Sequence, residues 1–261
     1  MATTTIFVKD LPRTLTKVGE TILGASSSVA RVMDSIDRAA RKCGRTTPLL
    51  VGASKKQPVM KIQWAYNQGL RHFGENYVQE LESKARYLHN HTNCTDIKWH
   101  FIGHLQSKKA KLLTNIPGMW MVETLDSLKL ANKLNSYWGL RENGSHLLKV
   151  LVQVNTSKEE SKHGCMPEES VDLVQYVMEN CENLDFKGLM TIGQMGHSYD
   201  ERGSNPDFLR LVDCHDKVKK LLKIHRPLEL SMGMSGDYEH AIEHGSTSVR
   251  VGTALFGPRD D

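Results

Sequence analysis

Apolar residues along this chain gather into short runs dense in Val, Ile, Leu and aromatics, and each run is followed by a longer stretch in which apolar positions return every three or four residues. The first spacing predicts strands and the second amphipathic helices. Eight strands are expected at Thr47 to Ala53, Arg71 to Glu75, Lys98 to Ile102, Met119 to Glu123, Leu148 to Asn155, Phe186 to Thr191, Leu228 to Met232 and Ser248 to Val251. Helices are expected between them at Pro58 to Leu70, Tyr77 to His89, Leu105 to Thr114, Ser127 to Leu140, Pro167 to Cys181, Pro206 to Ile224 and Asp237 to Glu243. A further helix, Ser27 to Cys43, precedes the first strand, and Gly196 to Asn205 reads as a loop rich in Gly, Ser and Asn.

Strict alternation of strand and helix implies parallel strands joined by right-handed crossovers. Eight such units suit a closed α/β architecture, the (β/α)8 or TIM barrel, with the extra helix capping or flanking it. An open doubly wound sheet is the alternative, although the glycine fingerprint of a nucleotide site after the first strand is missing. At 261 residues the chain holds one such barrel, for which roughly 250 are typical, and two smaller domains would also fit. Residues 1–24 are expected to form a flexible N-terminal extension, and residues 25–261 the barrel.

Composition narrows the classes. Hydrophobic residues at 39% and charged residues at 25% are those of a globular protein, and no apolar run approaches the roughly 20 residues of a membrane helix. The net charge is +4 with Lys and Arg dispersed, so nucleic acid is not an expected partner. Five cysteines with no zinc or redox spacing suit a reducing compartment. A cytoplasmic location is expected. The Ser- and Thr-rich first 24 residues, with Lys9, Arg13 and Lys17, keep mitochondrial import open, although Asp10 and Glu20 interrupt that pattern.

A barrel's active site lies at the carboxyl ends of its strands. A polar residue stands at or near almost every one: Lys55, Glu75 with Asn76, His104, Glu123, Asn155, Thr191 and Ser231, with Arg250 inside the eighth strand. Each alone fits a helix cap or a solvated loop; their convergence on one rim points to a site. An ammonium at a low-dielectric barrel mouth is costly, so a lysine there can offer a neutral amine to an aldehyde. Lys55 is thus a Schiff-base candidate, with Lys56 on the opposite parity and a surface position for both as the alternative. The segments SMGMSGD (Ser231 to Asp237) and VRVGTALFG (Val249 to Gly257) supply glycines, hydroxyls and helix-start N–H groups suited to a phosphate, or else simply tight turns. Inward-facing Arg250 needs a partner, either Glu123 or Glu75 or the ring nitrogen of a cofactor. The HxxxH pairs His100/His104 and His240/His244 lack a third ligand, so no metal is expected. A serine nucleophile is unsupported, because no Gly-x-Ser-x-Gly elbow follows a strand.

Read in order, GASK, FGENYVQE, WHFIGHLQ, VNTSKEESKHG, GLMTIG, LSMGMSGD and GSTSVRVGTALFG closely resemble the pyridoxal phosphate homeostasis protein family, itself similar to the barrel domain of alanine racemases. The likeness runs from about Ser27 to Asp261. It implies a single barrel holding pyridoxal 5′-phosphate (PLP) on Lys55. It also implies the phosphate on Ser231, Gly252 and Thr253 with Ser235 beside them, Arg250 near the pyridine nitrogen, and Asn76 and Met232 lining the pocket. Relatives commonly carry Asn within LQ-x-x-x-K, where this chain has Ser107, Lys108 and Lys109.

The expected function is a carrier or buffer of PLP in vitamin B6 homeostasis, probing no chemistry of its own, with PLP-dependent apoenzymes as recipients and a monomeric state. Two features weigh against an efficient enzyme. A cation beside the ring nitrogen weakens the ring as an electron sink, and the chain stops shortly after the eighth strand, leaving no room for a racemase's second domain. The alternatives are a PLP-dependent amino-acid racemase or lyase, and a cofactor-free aldolase-like barrel in which Lys55 attacks a sugar phosphate directly.

Overall fold

All eight predicted strands form, and they close on themselves. In the computed structural model, residues 13–141, 146–193 and 205–258 are described, with side chains from Ser28 onward. The strands are β1 (Leu49–Ala53), β2 (His72–Glu75), β3 (Lys98–Phe101), β4 (Met119–Leu125), β5 (Leu148–Gln153), β6 (Leu184–Met190), β7 (Glu229–Ser231) and β8 (Ser248–Val251). They pair in chain order, all parallel, and β8 returns to β1 through Leu49↔Ser248, Leu50↔Val249, Val51↔Arg250 and Gly52↔Val251. The open-sheet alternative is thereby excluded.

The helices are α1 (Arg13–Lys42), α2 (Val59–Asn67), α3 (Val78–His91), α4 (Ala110–Leu113), α5 (Leu128–Gly139), α6 (Ser170–Asn180), α7 (Pro206–Leu221), α8 (Tyr238–Glu243) and α9 (Thr253–Phe256). Two differ from expectation. The segment Leu105 to Thr114 yields only a 3-10 turn, Ser107–Lys109, and the four residues of α4. Leu105 is driven into the core at 2% exposure and Gln106 is extended, so helical backbone cannot begin before Ser107. At the other end of the chain α1 starts at Arg13, not Ser27, and the boundary expected after residue 24 falls inside one continuous helix. The serine cluster Ser26 to Ser28 lowers helix propensity by only a few tenths of a kcal/mol per residue, too little to end a helix. Residues 1–12 lie outside the described residues, as does the expected Gly196 to Asn205 loop except for Asn205, which caps α7 by accepting from the Asp207 N–H.

Strand parity separates two environments. Leu50, Phe73, Trp99, Val122, Val150 and Val249 face the helices and form the main apolar core. Each such fully buried side chain contributes about 1.5–3 kcal/mol relative to exposure. The inward set is unusual: among the described residues Met121, Leu151 and Met190 make a small apolar cluster there. Beside that cluster and Val51, the barrel axis holds buried polar groups, among them His100, Glu123, Ser231 and Arg250. Those groups define the site.

Candidate functional site

A chain of side-chain contacts runs up the inside of the barrel. His72 Nδ1 lies 2.8 Å from His100 Nε2, and His100 Nδ1 lies 2.6 Å from Glu123 Oε1. The Ser231 hydroxyl donates to Glu123 Oε2 at 2.6 Å and accepts from Arg250 at 2.5 Å. Arg250 also donates to the Thr191 carbonyl at 2.7 Å and stands 3.9 Å from Glu123 Oε2. Of the two carboxylates considered for Arg250, the structure therefore selects Glu123. Glu75 faces the helix layer instead, where Lys84 on α3 binds it at 2.6 Å.

Electrostatics fit this wiring. Burial alone would raise the Glu123 carboxyl, but the hydrogen bond and charge of His100, the Arg250 charge and the Ser231 hydroxyl together hold it below its ordinary value. Burial lowers Arg250 while Glu123 opposes the change. Burial, then the charges of His100, Lys98 and Lys149, push His72 down from 6.5 to about 3. Between those two values the unfolded chain binds a proton that the folded chain refuses, so this contribution to stability is complete above pH 6.5 and shrinks as pH falls towards 3. The melting temperature should drop between pH 7 and pH 5, and His72→Gln should flatten that drop; equal slopes in both proteins would contradict the assignment.

Lys55 sits on a turn just beyond β1, and this turn is held from two sides. Ser54 donates its hydroxyl to Glu75 Oε1 at 2.7 Å, while Lys84 Nζ reaches the Ser54 carbonyl at 2.8 Å and both Glu75 and Glu80 at 2.6 Å. The Lys56 N–H donates to Glu80 at 2.7 Å. Lys56 itself takes a left-handed φ of 56° and is exposed, whereas Lys55 is half-buried. Among the described residues the Lys55 ammonium makes no hydrogen bond or ion pair; it stands over the face of Tyr77, 5.5 Å from the ring centre. It is a positioned amine without a structural partner.

The ends of β7 and β8 meet beside that turn. Ser235 Oγ accepts from the N–H of Gly252 at 3.1 Å and of Ala254 at 3.4 Å, so a hydroxyl and two backbone donors converge. Gly252 touches the end of β1 as well, since a Cβ there would stand 3.1 Å from the Ala53 carbonyl oxygen. Gly233 has φ +95°, and a Cβ there would lie 2.6 Å from that of Ala241, so only glycine lets this loop lie down. Thr253 is exposed at the same edge.

Two expected residues fall elsewhere. Ser231 is fully buried, and Glu123 and Arg250 take its hydroxyl, so the serine standing at the Gly252 N–H is Ser235. Met232 is fully buried in the main apolar core rather than lining the mouth, because the inward turn of Ser231 sends its neighbour outward. Asn76 lines a cavity of about 260 Å³ with Tyr77, Phe101, Gly103 and His104 at the carboxyl end. A larger cleft of about 880 Å³, lined by Lys98, Gly118, Trp120 and Arg141, lies at the amino end of the barrel, away from these strand-end residues. The HxxxH pairs differ: His100 is sealed inside the barrel while His104 is exposed on the rim, whereas the rings of His240 and His244 lie 4.4 Å apart and His244 Nδ1 lies against the His240 carbonyl at the end of α8.

Sequence reasoning missed the His72–His100 contact and the Lys84 clamp. A signal for the first was present in β3, where Lys98 and His100 alternate with Trp99 and Phe101.

Known proteins share this fold. Residues 36–260 match the family described as alanine racemase, N-terminal domain. The human pyridoxal phosphate homeostasis protein is 48% identical over 231 residues, covering 88% of this chain and 83% of the human protein. Its Vibrio cholerae namesake is 39% identical, covering 89% and 95% of the two chains. The structure of PipY from Synechococcus elongatus with PLP bound superposes with a TM-score of 0.72 at 29% identity, covering 89% of this chain and all of that one (100%). An alanine racemase from Clostridium difficile shares the fold alone, with a TM-score of 0.67 at 14% identity over 90% of this chain and 58% of its own. Carried by the family match and by relatives of this similarity, the chain belongs to the pyridoxal phosphate homeostasis protein family.

Proposed function

We propose that this protein binds PLP as a Schiff base on Lys55 and serves as a carrier or buffer of the cofactor, handing it to PLP-dependent apoenzymes. The observation that carries the reading is the junction of three strand ends: the unpaired Lys55 amine beyond β1, the Gly252 and Ala254 N–H groups beyond β8, and Ser235 beyond β7. An aldehyde on a phosphorylated ring meets there both a nucleophile and an anion cradle. When bound, the cofactor supplies an electrophilic aldehyde; the chain supplies its grip.

Ser235, Gly252 and Thr253 would hold the phosphate, with Asn76 at the mouth. Arg250 would face the ring nitrogen. A guanidinium already donating to Ser231 and Thr191 keeps its charge, and a cation there opposes protonation of the ring, so electron withdrawal is weak. This favours storage over turnover, and it favours the carrier over a racemase or lyase. The protein is taken to act as a monomer.

Ser235→Ala should weaken PLP retention about tenfold, the cost of roughly one charge-assisted hydrogen bond, with the fold unchanged. Transfer is tested by mixing the PLP-loaded protein with an apoenzyme in the presence of an amine that scavenges free PLP. Recovery of apoenzyme activity above that given by the same amount of free PLP is expected. Equal recovery from both sources would reject the carrier role.

A further inference from the structure

We infer that His104, Asp126 and His163 form a binding site for a divalent first-row transition metal, with Zn²⁺ as the best fit. One ligand atom of each lies within 4.8 Å of the others. The three come from consecutive loops, after β3, after β4 and after β5, on the side of the mouth across the barrel from β8. Nothing in the PLP reading requires them, and the HxxxH spacing does not predict them.

The His104–Asp126 distance is that of two ligands around a common centre. Donors each 2.0–2.2 Å from Zn²⁺ stand about 3.4 Å apart in a tetrahedron. His104 Nδ1 and Asp126 Oδ2 are 3.6 Å apart, too far for a good hydrogen bond and close to that ligand spacing. The imidazoles of His104 and His163 stack with ring centres 3.5 Å apart and planes within 9°, so their lone pairs run parallel and one ring has to turn about its Cβ–Cγ bond before both meet a shared ion. Two stacked imidazolium cations would repel.

Asp126 is held from behind, as metal ligands usually are, and the backbone that carries the two histidines is fixed. The Ser127 hydroxyl donates to Asp126 Oδ1 at 3.1 Å, which leaves Oδ2 for the histidine side. His104 follows Gly103, whose carbonyl accepts from Thr124 at 2.7 Å and whose missing Cβ admits the Asn76 backbone, 2.1 Å from where that Cβ would lie. The loop carrying His163 is fixed by Gln153 donating to the His163 carbonyl at 2.8 Å, and by Asn155 donating to the carbonyls of Glu159 at 2.9 Å and Lys162 at 3.3 Å. Gly164, at φ +128°, lets this turn close against the Asn155 N–H.

Two imidazoles and one carboxylate, with no thiolate in the set, favour borderline cations such as Zn²⁺ over Mg²⁺ or Ca²⁺, which prefer oxygen ligands. Three protein ligands leave coordination positions open for water. A bound ion would pin three loops at the mouth together.

The test is calorimetric titration of the full chain, without an affinity tag, with Zn²⁺, paired with Co²⁺ titration read by its visible d–d bands. One tight equivalent is expected, with a rise in melting temperature that Mg²⁺ does not reproduce. Asp126→Asn and His163→Gln should each weaken Zn²⁺ binding by about a hundredfold, at the upper end of what loss of a supporting partner alone costs. His163→Gln lies on an exposed loop and keeps the test valid if Asp126→Asn disturbs the fold. Absence of a tight equivalent in the parent chain, or undiminished affinity in both folded variants, would overturn the site.

Discussion

Replacing Lys55 by Ala should abolish stable retention of PLP and remove the near-visible absorbance band of the Schiff base. No nearby amine is placed to substitute. Lys56 has the backbone turned away in a left-handed conformation and is exposed, and Lys84 Nζ is fully occupied by Ser54, Glu75 and Glu80. Reversible binding through the phosphate cradle would remain, with affinity lower by a factor of a hundred or more, since one covalent link is worth several units of about 1.4 kcal/mol per decade. Absorbance titration of parent and variant with PLP measures it. The fold should be untouched, because among the described residues the Lys55 ammonium makes no hydrogen bond or ion pair that the change would break. A cofactor-free aldolase-like barrel predicts the opposite outcome, in which the parent protein itself stays colourless with PLP.

Arg250→Ala should produce the largest loss of stability. The guanidinium is 4% exposed and Glu123 is fully buried, so truncation leaves a carboxylate inside the barrel with His100 and Ser231 as its remaining partners. Breaking one side of a buried ion pair costs about 3–5 kcal/mol. For a chain of this size a melting temperature falls roughly 2–4 °C per kcal/mol. The surface pair Lys217–Asp213, 60% and 57% exposed, gives the contrast: Lys217→Ala should leave the melting temperature nearly unchanged. Thermal melts of the two variants side by side decide the matter, and a similar small shift in both would mean that Arg250 is not integral to the buried network.

Much of the architecture is legible in the sequence because a closed parallel barrel repeats one simple unit. β4 reads as a strand from its apolar run and Ser127 reads as a helix start, which its hydroxyl confirms by accepting from the Leu130 N–H. Parity also places Arg250 correctly inside the barrel, between outward Val249 and Val251. What is not legible depends on contacts between distant segments. Ser231 and Ser235 flank the same glycine, and only the closure of β7 onto β8 decides that the first is consumed by Glu123 while the second meets Gly252.

Other misses had partial signals. Lys84 shares its helical face with Leu81, Ala85 and Leu88, which announces a buried cation in need of a partner, although the sequence does not name Glu75 and Glu80. Alternation does not reach Lys55 and Lys56: β1 ends at Ala53, and a turn rather than a pleat sets where the two amines go. His104 looked like half of an HxxxH pair, yet its neighbours in space are Asp126 and His163 from two later loops.

The most direct measurement is borohydride reduction of the PLP-loaded protein followed by peptide mapping of the modified side chain. A single reduced adduct on Lys55, absent from Lys55→Ala, is the predicted result. An adduct on a different lysine, or none at all in a protein that still retains the cofactor, would contradict the assignment of this amine as its anchor.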